Sequence, residues 1–189
     1  MRDEALTGGF ADAPVEAARA FRAALSALAR PGRIETIGGA AAPAPVSEAA
    51  ATLLLTLCDG ETPLYLAPSH DSPALREWIA FHIGAPLTDR AGAAFALGTW
   101  EALAPLDTFA RGTSDYPDRS TTLIVEVPRL APEGKRLTGP GIETEARLNL
   151  PEVAAFRANR AGFPLGWDFF FTAGTALAAL PRSTVVEDA

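Results

Sequence analysis

Near its C-terminal end the chain reads Asp168-Phe169-Phe170-Phe171-Thr172-Ala173-Gly174-Thr175-Ala176-Leu177-Ala178-Ala179-Leu180. Asp168–Ala173 predicts an aromatic strand and Leu177–Leu180 a second, with Gly174-Thr175 as the tight hairpin turn between them. Side chains alternate across a strand, so Phe169 and Phe171 share one face while Asp168 and Phe170 share the other. With both faces apolar, the strand is covered on both sides. Either it lies inside a sheet between two layers, or one side covers a subunit contact, since aromatic residues are enriched at interface cores. Phe163, Trp167 and Phe170 are the candidate interface residues under the second alternative.

Moving outward, Thr121–Val127 is rich in Thr, Val and Ile and predicts another strand. Ala93–Leu97, Pro63–Ala67, Arg33–Ile37 and Arg136–Gly141 read as strands too. The first helix follows Asp12 as cap and Pro14 in its first turn. Along it Val15, Ala18, Phe21, Leu25 and Leu28 recur at helical spacing, with Arg19 and Arg22 on the other side. Arg30-Pro31-Gly32 ends it. Ser47 and Glu48 open a second helix through Leu57, apolar nearly all round and so buried. Ser72-Pro73 starts a third that buries Leu75, Trp78 and Ile79, Trp100–Leu103 makes a short helix or turn, and Pro151–Arg160 forms another helix. Gly38–Val46 and Arg111–Ser120 read as loops.

Helices and strands alternate early and strands cluster late. The expected fold is therefore α/β: one mixed sheet covered by helices on both faces, a three-layer sandwich. No repeat or linker divides the chain. Residues 1–189 are expected to form a single domain with its core at about 13–187 and a mobile segment at 1–12.

Composition excludes several functions. The 189 residues are 48% hydrophobic and 21% charged, as in ordinary globular proteins, and carry a net charge of −7 from 23 acidic against 16 basic residues. No basic run offers a phosphate-neutralising surface, so nucleic acid is not an expected partner. One cysteine, Cys58, permits no disulfide within the chain, which fits a reducing compartment. Met-Arg-Asp-Glu at the start lacks an apolar stretch behind it, and the longest apolar region, Phe163–Leu180, is broken by Pro164, Gly166, Asp168 and Gly174. No secretory signal or membrane span is expected, and the cytoplasm follows.

Tests for catalytic constellations return little. His70, His82 and Cys58 have no metal-ligand spacing, so no metal site is expected. No glycine-flanked serine accompanies a histidine as in a hydrolase. His82 reads as a helix-end histidine bonding a carbonyl, and His70 as a solvated residue of a polar loop. Gly139-Pro140-Gly141 has only two glycines of a dinucleotide fingerprint, and Pro140 removes a needed N–H. Pyridoxal phosphate needs a Schiff-base lysine, and the sole lysine, Lys135, lies in a polar turn. Asp168 reads as a carboxylate that caps backbone N–H groups, although burial at a strand start would suit a general acid. One anion-binding site is conceivable, in which Arg136 and Arg182 combine with the Gly139/Gly141 turn on the sheet edge. The plainer alternative pairs both arginines with surface carboxylates such as Glu143 or Glu187.

Separated motifs carry more than these patterns. They are Phe163-Pro164-Leu165-Gly166-Trp167-Asp168 continuing to Leu180-Pro181-Arg182-Ser183-Thr184; Arg136-Leu137-Thr138-Gly139-Pro140-Gly141-Ile142; and Leu54-Leu55-Thr56-Leu57-Cys58-Asp59 with Thr62-Pro63. With Arg30-Pro31-Gly32, and Phe81-His82 before Ala85-Pro86, their order resembles the PhnH family from about residue 14 to about residue 187. The loops 38–46 and 111–120, Gly112-Thr113 apart, depart from that pattern.

The resemblance implies a subunit of the carbon–phosphorus lyase core complex, with PhnG, PhnI and PhnJ as partners and a homodimer when isolated. It implies a part in forming ribose 1-methylphosphonate 5-triphosphate from ATP and methylphosphonate. It further implies a fold like the large domain of pyridoxal-phosphate transferases without the cofactor, and it carries over no catalytic residue. A free-standing degenerate transferase or a small-molecule-binding protein is the alternative.

Overall fold

The computed structural model describes residues 6–189. In chain order the elements are α1 (Ala13–Ala29), β1 (Glu35–Thr36), α2 (Glu48–Leu57), β2 (Leu64–Leu66), α3 (Pro73–His82), β3 (Phe95–Thr99), α4 (Trp100–Leu103), β4 (Thr122–Glu126), β5 (Lys135–Thr138), β6 (Ala146–Leu148), α5 (Ala154–Ala161), β7 (Asp168–Ala173), β8 (Ala176–Leu180) and β9 (Val185–Glu187). Sequence chemistry sets the helix starts. The hydroxyls of Ser47 and Ser72 accept the N–H groups of Ala50 and Leu75, two donors with no partner inside their helices.

Six strands form a mixed sheet in the order β1-β8-β7-β4-β3-β2. The strands β2, β3, β4 and β7 run parallel, while β8 returns antiparallel on β7 and pairs with β1 in turn. Gly174, with φ +57°, turns the β7–β8 hairpin, where a Cβ would be strained by the backbone conformation. Alternation along β7 sends its aromatic rings to opposite layers. Phe169 and Phe171 meet Phe156 of α5 edge-on at 5.2 and 6.1 Å. Phe170 joins Leu97, Ile124 and Ala179 in the core beneath α1, α2 and α3.

The second face is covered differently from expectation. The helices α4 and α5 cover only part of it. A separate antiparallel sheet, β6-β5-β9, covers the rest and contributes Leu148, Leu137 and Val186 to that core. The predicted strand Arg136–Gly141 ends at Thr138 because Gly139, with φ +123°, turns the chain beside the Ser183 carbonyl.

The expected apolar face of the first helix is corrected. The first helix buries Ala20, Ala24 and Ala27, not its large apolar residues. These small side chains lie at i, i+4 and i+7, so the backbone sits close against α2 and β8, and Val15, Phe21 and Leu25 are left outside. Phe170 and Trp167 are interior residues of this chain, and of the three candidate interface residues only Phe163 is exposed. The Asn159 side chain holds Trp167 in place by bonding both its N–H and its carbonyl, at 2.9 and 2.8 Å.

Of the segment 1–12, residues 1–5 lie outside the described residues. From Thr7 on, the segment is hydrogen-bonded to the body. The Thr7 carbonyl accepts the indole N–H of Trp78 at 3.2 Å and lies 3.1 Å from Nε2 of His82, and the Gly8 carbonyl accepts the N–H of Ala41. The reading of His82 as a carbonyl-bonding helix-end residue matches this contact. Among the described residues no helix is long and apolar enough to cross a membrane.

Candidate functional site

In α/β sheets, ligands bind outside the carboxyl ends of parallel strands. Here β2, β3, β4 and β7 end on one edge, and the starts of α2, α3 and α4 gather around it. A crevice of about 440 Å³ opens there, lined by Thr99, Trp100, Glu101, Glu126, Arg129 and Asn149 among others. Its central acid is Glu126, the last residue of β4. Burial raises its carboxyl above the usual carboxylate range, while the Ser47 N–H and the hydroxyls of Ser47 and Thr172 pull it back. The Ser47 N–H reaches Oε1 at 2.6 Å.

Further along the same edge, outside the crevice lining and shortly after the end of β2, stand Ser69 and His70. The Ser69 Oγ accepts the N–H of Thr99 at 3.1 Å and lies 2.9 Å from Nδ1 of His70. Gly98 makes this meeting possible. A Cβ there would sit 2.5 Å from the Ala67 Cβ and 3.3 Å from the Ser69 Oγ. His70 is only 3% exposed, which corrects its reading as a solvated loop residue, and burial lowers its pKa so that the neutral form is favoured. Its Nε2 is buried without a hydrogen-bond partner among the described residues.

This edge can therefore accept or donate hydrogen bonds and hold a carboxyl with a raised affinity for its proton. The Ser69–His70 pair has no carboxylate on the far imidazole nitrogen, which a hydrolytic triad uses to orient the ring. Arg129 is engaged with Glu133. The Asn149 amide spans the loop, accepting from the Ala131 N–H and donating to the Arg129 carbonyl.

The residues singled out from sequence lie elsewhere and are committed to other partners. Arg136, on β5, donates to Glu145 at 2.8 Å and to Glu187 at 2.6 Å. Arg182 donates to both oxygens of Asp168, to the Pro117 carbonyl and to Ser120 Oγ. It thereby ties the 111–120 loop to the start of β7. Asp168 also accepts the backbone N–H of Arg182 at 2.8 Å, in keeping with its capping role. Gly139 turns against Ser183, and Gly141, with φ +84°, packs where a Cβ would fall 2.1 Å from the Ala29 carbonyl. Each guanidinium already faces carboxylates: Arg136 pairs with Glu145 and Glu187 near the surface, whereas Arg182 pairs with the partly buried Asp168. Glu126, Ser69 and the buried state of His70 were not singled out. The sequence signal was available only in part, as polar residues directly after apolar strands.

Compared with known families, residues 8–187 match the model of the bacterial phosphonate metabolism protein PhnH. The chain belongs to the PhnH family. Within it, the chain is 45% identical over 191 residues to the alpha-D-ribose 1-methylphosphonate 5-triphosphate synthase subunit PhnH of Rhizobium meliloti (strain 1021), covering 96% of this chain and 95% of the relative. It is 32% identical over 199 residues to the putative C-P lyase subunit protein HtxG of Stutzerimonas stutzeri, covering 93% of each. Both relatives match over more than nine-tenths of their length, so the six-stranded sheet, the carboxyl-edge crevice and the small second sheet all fall within the shared region.

Proposed function

We propose that this chain is the PhnH subunit of a ribose 1-methylphosphonate 5-triphosphate synthase in the carbon–phosphorus lyase route of phosphonate catabolism. The observation that carries this reading is the end-to-end 45% identity to a protein of that name. In this reading the chain assembles with PhnG, PhnI and PhnJ in the cytoplasm and pairs with itself only when isolated. It takes no cofactor, and its fold resembles the large domain of pyridoxal-phosphate transferases.

A supporting role suits the chemistry of the sheet's carboxyl edge. Burial favours the neutral forms of Glu126 and His70, and the Ser69–His70 pair lacks an orienting acid. His70 is only 3% exposed, so the edge offers hydrogen-bonding groups and no exposed nucleophile–base pair among the described residues. Growth complementation tests the reading. A bacterial strain deleted for its own PhnH, given methylphosphonate as sole phosphorus source, should regain growth on receiving this chain. Failure to grow, where the Rhizobium relative restores growth and both proteins accumulate equally, would refute it.

A further inference from the structure

The outward side of α1 has large apolar side chains and no covering element. Phe21 and Leu25 are 51% and 55% exposed on successive turns of one helix, and Val15, near the start of that helix, is 42% exposed. Single exposed apolar residues are commonplace. Phe21 and Leu25 also line a cavity of about 300 Å³, in which they and Leu28 meet Leu57, Phe95 and Phe170. A contiguous apolar surface of this kind marks an interaction site. It lies at the amino ends of β3, β4 and β7, where Phe95, Thr122 and Asp168 are the first residues of their strands. The crevice at Glu126 is on the opposite edge, so an occupant here leaves that crevice open.

Charge identifies the occupant. Arg19, Arg22 and Arg30 border the apolar stripe, are exposed, and form no ion pair among the described residues. This unpaired basic border belongs to a chain of net charge −7. Complementarity therefore favours an apolar segment edged with carboxylates. It disfavours a second copy, because a two-fold pairing through the middle of α1 would bring Arg22 against its own counterpart.

We propose that α1 is the docking face for another subunit of the synthase, which lays an amphipathic segment bordered by Asp or Glu along Val15, Phe21 and Leu25. This rests on the subunit reading above. The full chain is co-expressed with the remaining synthase subunits as wild type, as F21E/L25E and as R19E/R22E, and the stoichiometry of the purified assembly is measured by mass photometry. Both pairs are surface residues, and melting curves check that each variant folds.

Docking through α1 predicts that F21E/L25E lowers incorporation about tenfold or more at an unchanged melting temperature. It also predicts that R19E/R22E weakens incorporation at low salt, with the deficit shrinking at high salt. Full incorporation of folded F21E/L25E overturns the docking face and leaves the subunit reading standing. A wild-type chain that never joins the other subunits overturns both. A wild-type dimer that F21E/L25E converts to monomer, with incorporation into the complex unaffected, assigns the face to a second copy and overturns the acidic partner.

Discussion

The backbone N–H of Ser47 meets the Glu126 carboxylate at 2.6 Å, so the cap of α2 grips the last residue of β4 from 79 positions away in the chain. One contact thus joins helix start, sheet edge and crevice. It makes Glu126 the group whose protonation reports most directly on that edge.

Burial raises the Glu126 carboxyl. A carboxyl that binds its proton more tightly in the folded state stabilises that state below the ordinary carboxylate range. The stabilisation is lost as pH rises through the raised value. Glu126→Gln removes this titration and keeps an acceptor for Ser47. The melting temperature of the variant, relative to wild type, should therefore rise as the pH is raised from the ordinary carboxylate range upward. A difference that does not change with pH would show that the carboxyl is solvated.

Arg182 and Asp168 are partly buried, with side-chain exposures of 13% and 29%. Arg182→Ala strands the Asp168 carboxylate, the Pro117 carbonyl and Ser120. A loss of roughly 3–5 kcal/mol is expected for removing one partner of such a pair. Denaturant unfolding measures it, and limited proteolysis should cut first within residues 111–120. A change below about 0.5 kcal/mol, typical of an exposed site, would contradict the bonding described.

Gly98→Ala inserts a methyl 2.5 Å from the Ala67 Cβ and 3.2 Å from Leu103 Cγ. Overpacking of this kind costs about 1–3 kcal/mol. The shift should also part Ser69 from Thr99 and disturb the His70 imidazole resonances in NMR spectra. Unchanged stability and spectra would mean that the edge of the sheet yields freely.

The Cys58 thiol lies at the end of α2, and burial pushes its pKa up to about 12. At pH 8 almost none is thiolate, the reactive form. Labelling by a thiol reagent should proceed only as fast as the protein opens, and should become fast in denaturant. Rapid labelling of the native protein at pH 8 would place the thiol at the surface.

The sequence disclosed the large sheet better than its surroundings. β7 was predicted at its observed bounds because three consecutive aromatic residues between Asp168 and Gly174 leave few alternatives to a doubly covered strand. β6 and β9 were not predicted. Each has three residues and one buried apolar side chain, Leu148 and Val186, too little for any periodicity to register. On α1 the expected stripe and the buried face differ, because alanines at 20, 24 and 27 allow a close approach that hydrophobicity alone does not reveal. The crevice was hidden for a related reason. Glu126 and His70 acquire their character from burial, and Glu126 also from Ser47 far along the chain, so neither motif nor spacing marks them. Arg136 and Arg182 attracted attention as cations, but their carboxylate partners come from separate elements.

The subunit role can be measured as adenine release from ATP and methylphosphonate by the remaining synthase subunits, with and without this chain. Release that requires the chain, with ribose 1-methylphosphonate 5-triphosphate accumulating in step, is the predicted result. Equal release without it, from subunits that never co-purify with it, would contradict the role assigned to this PhnH-family chain.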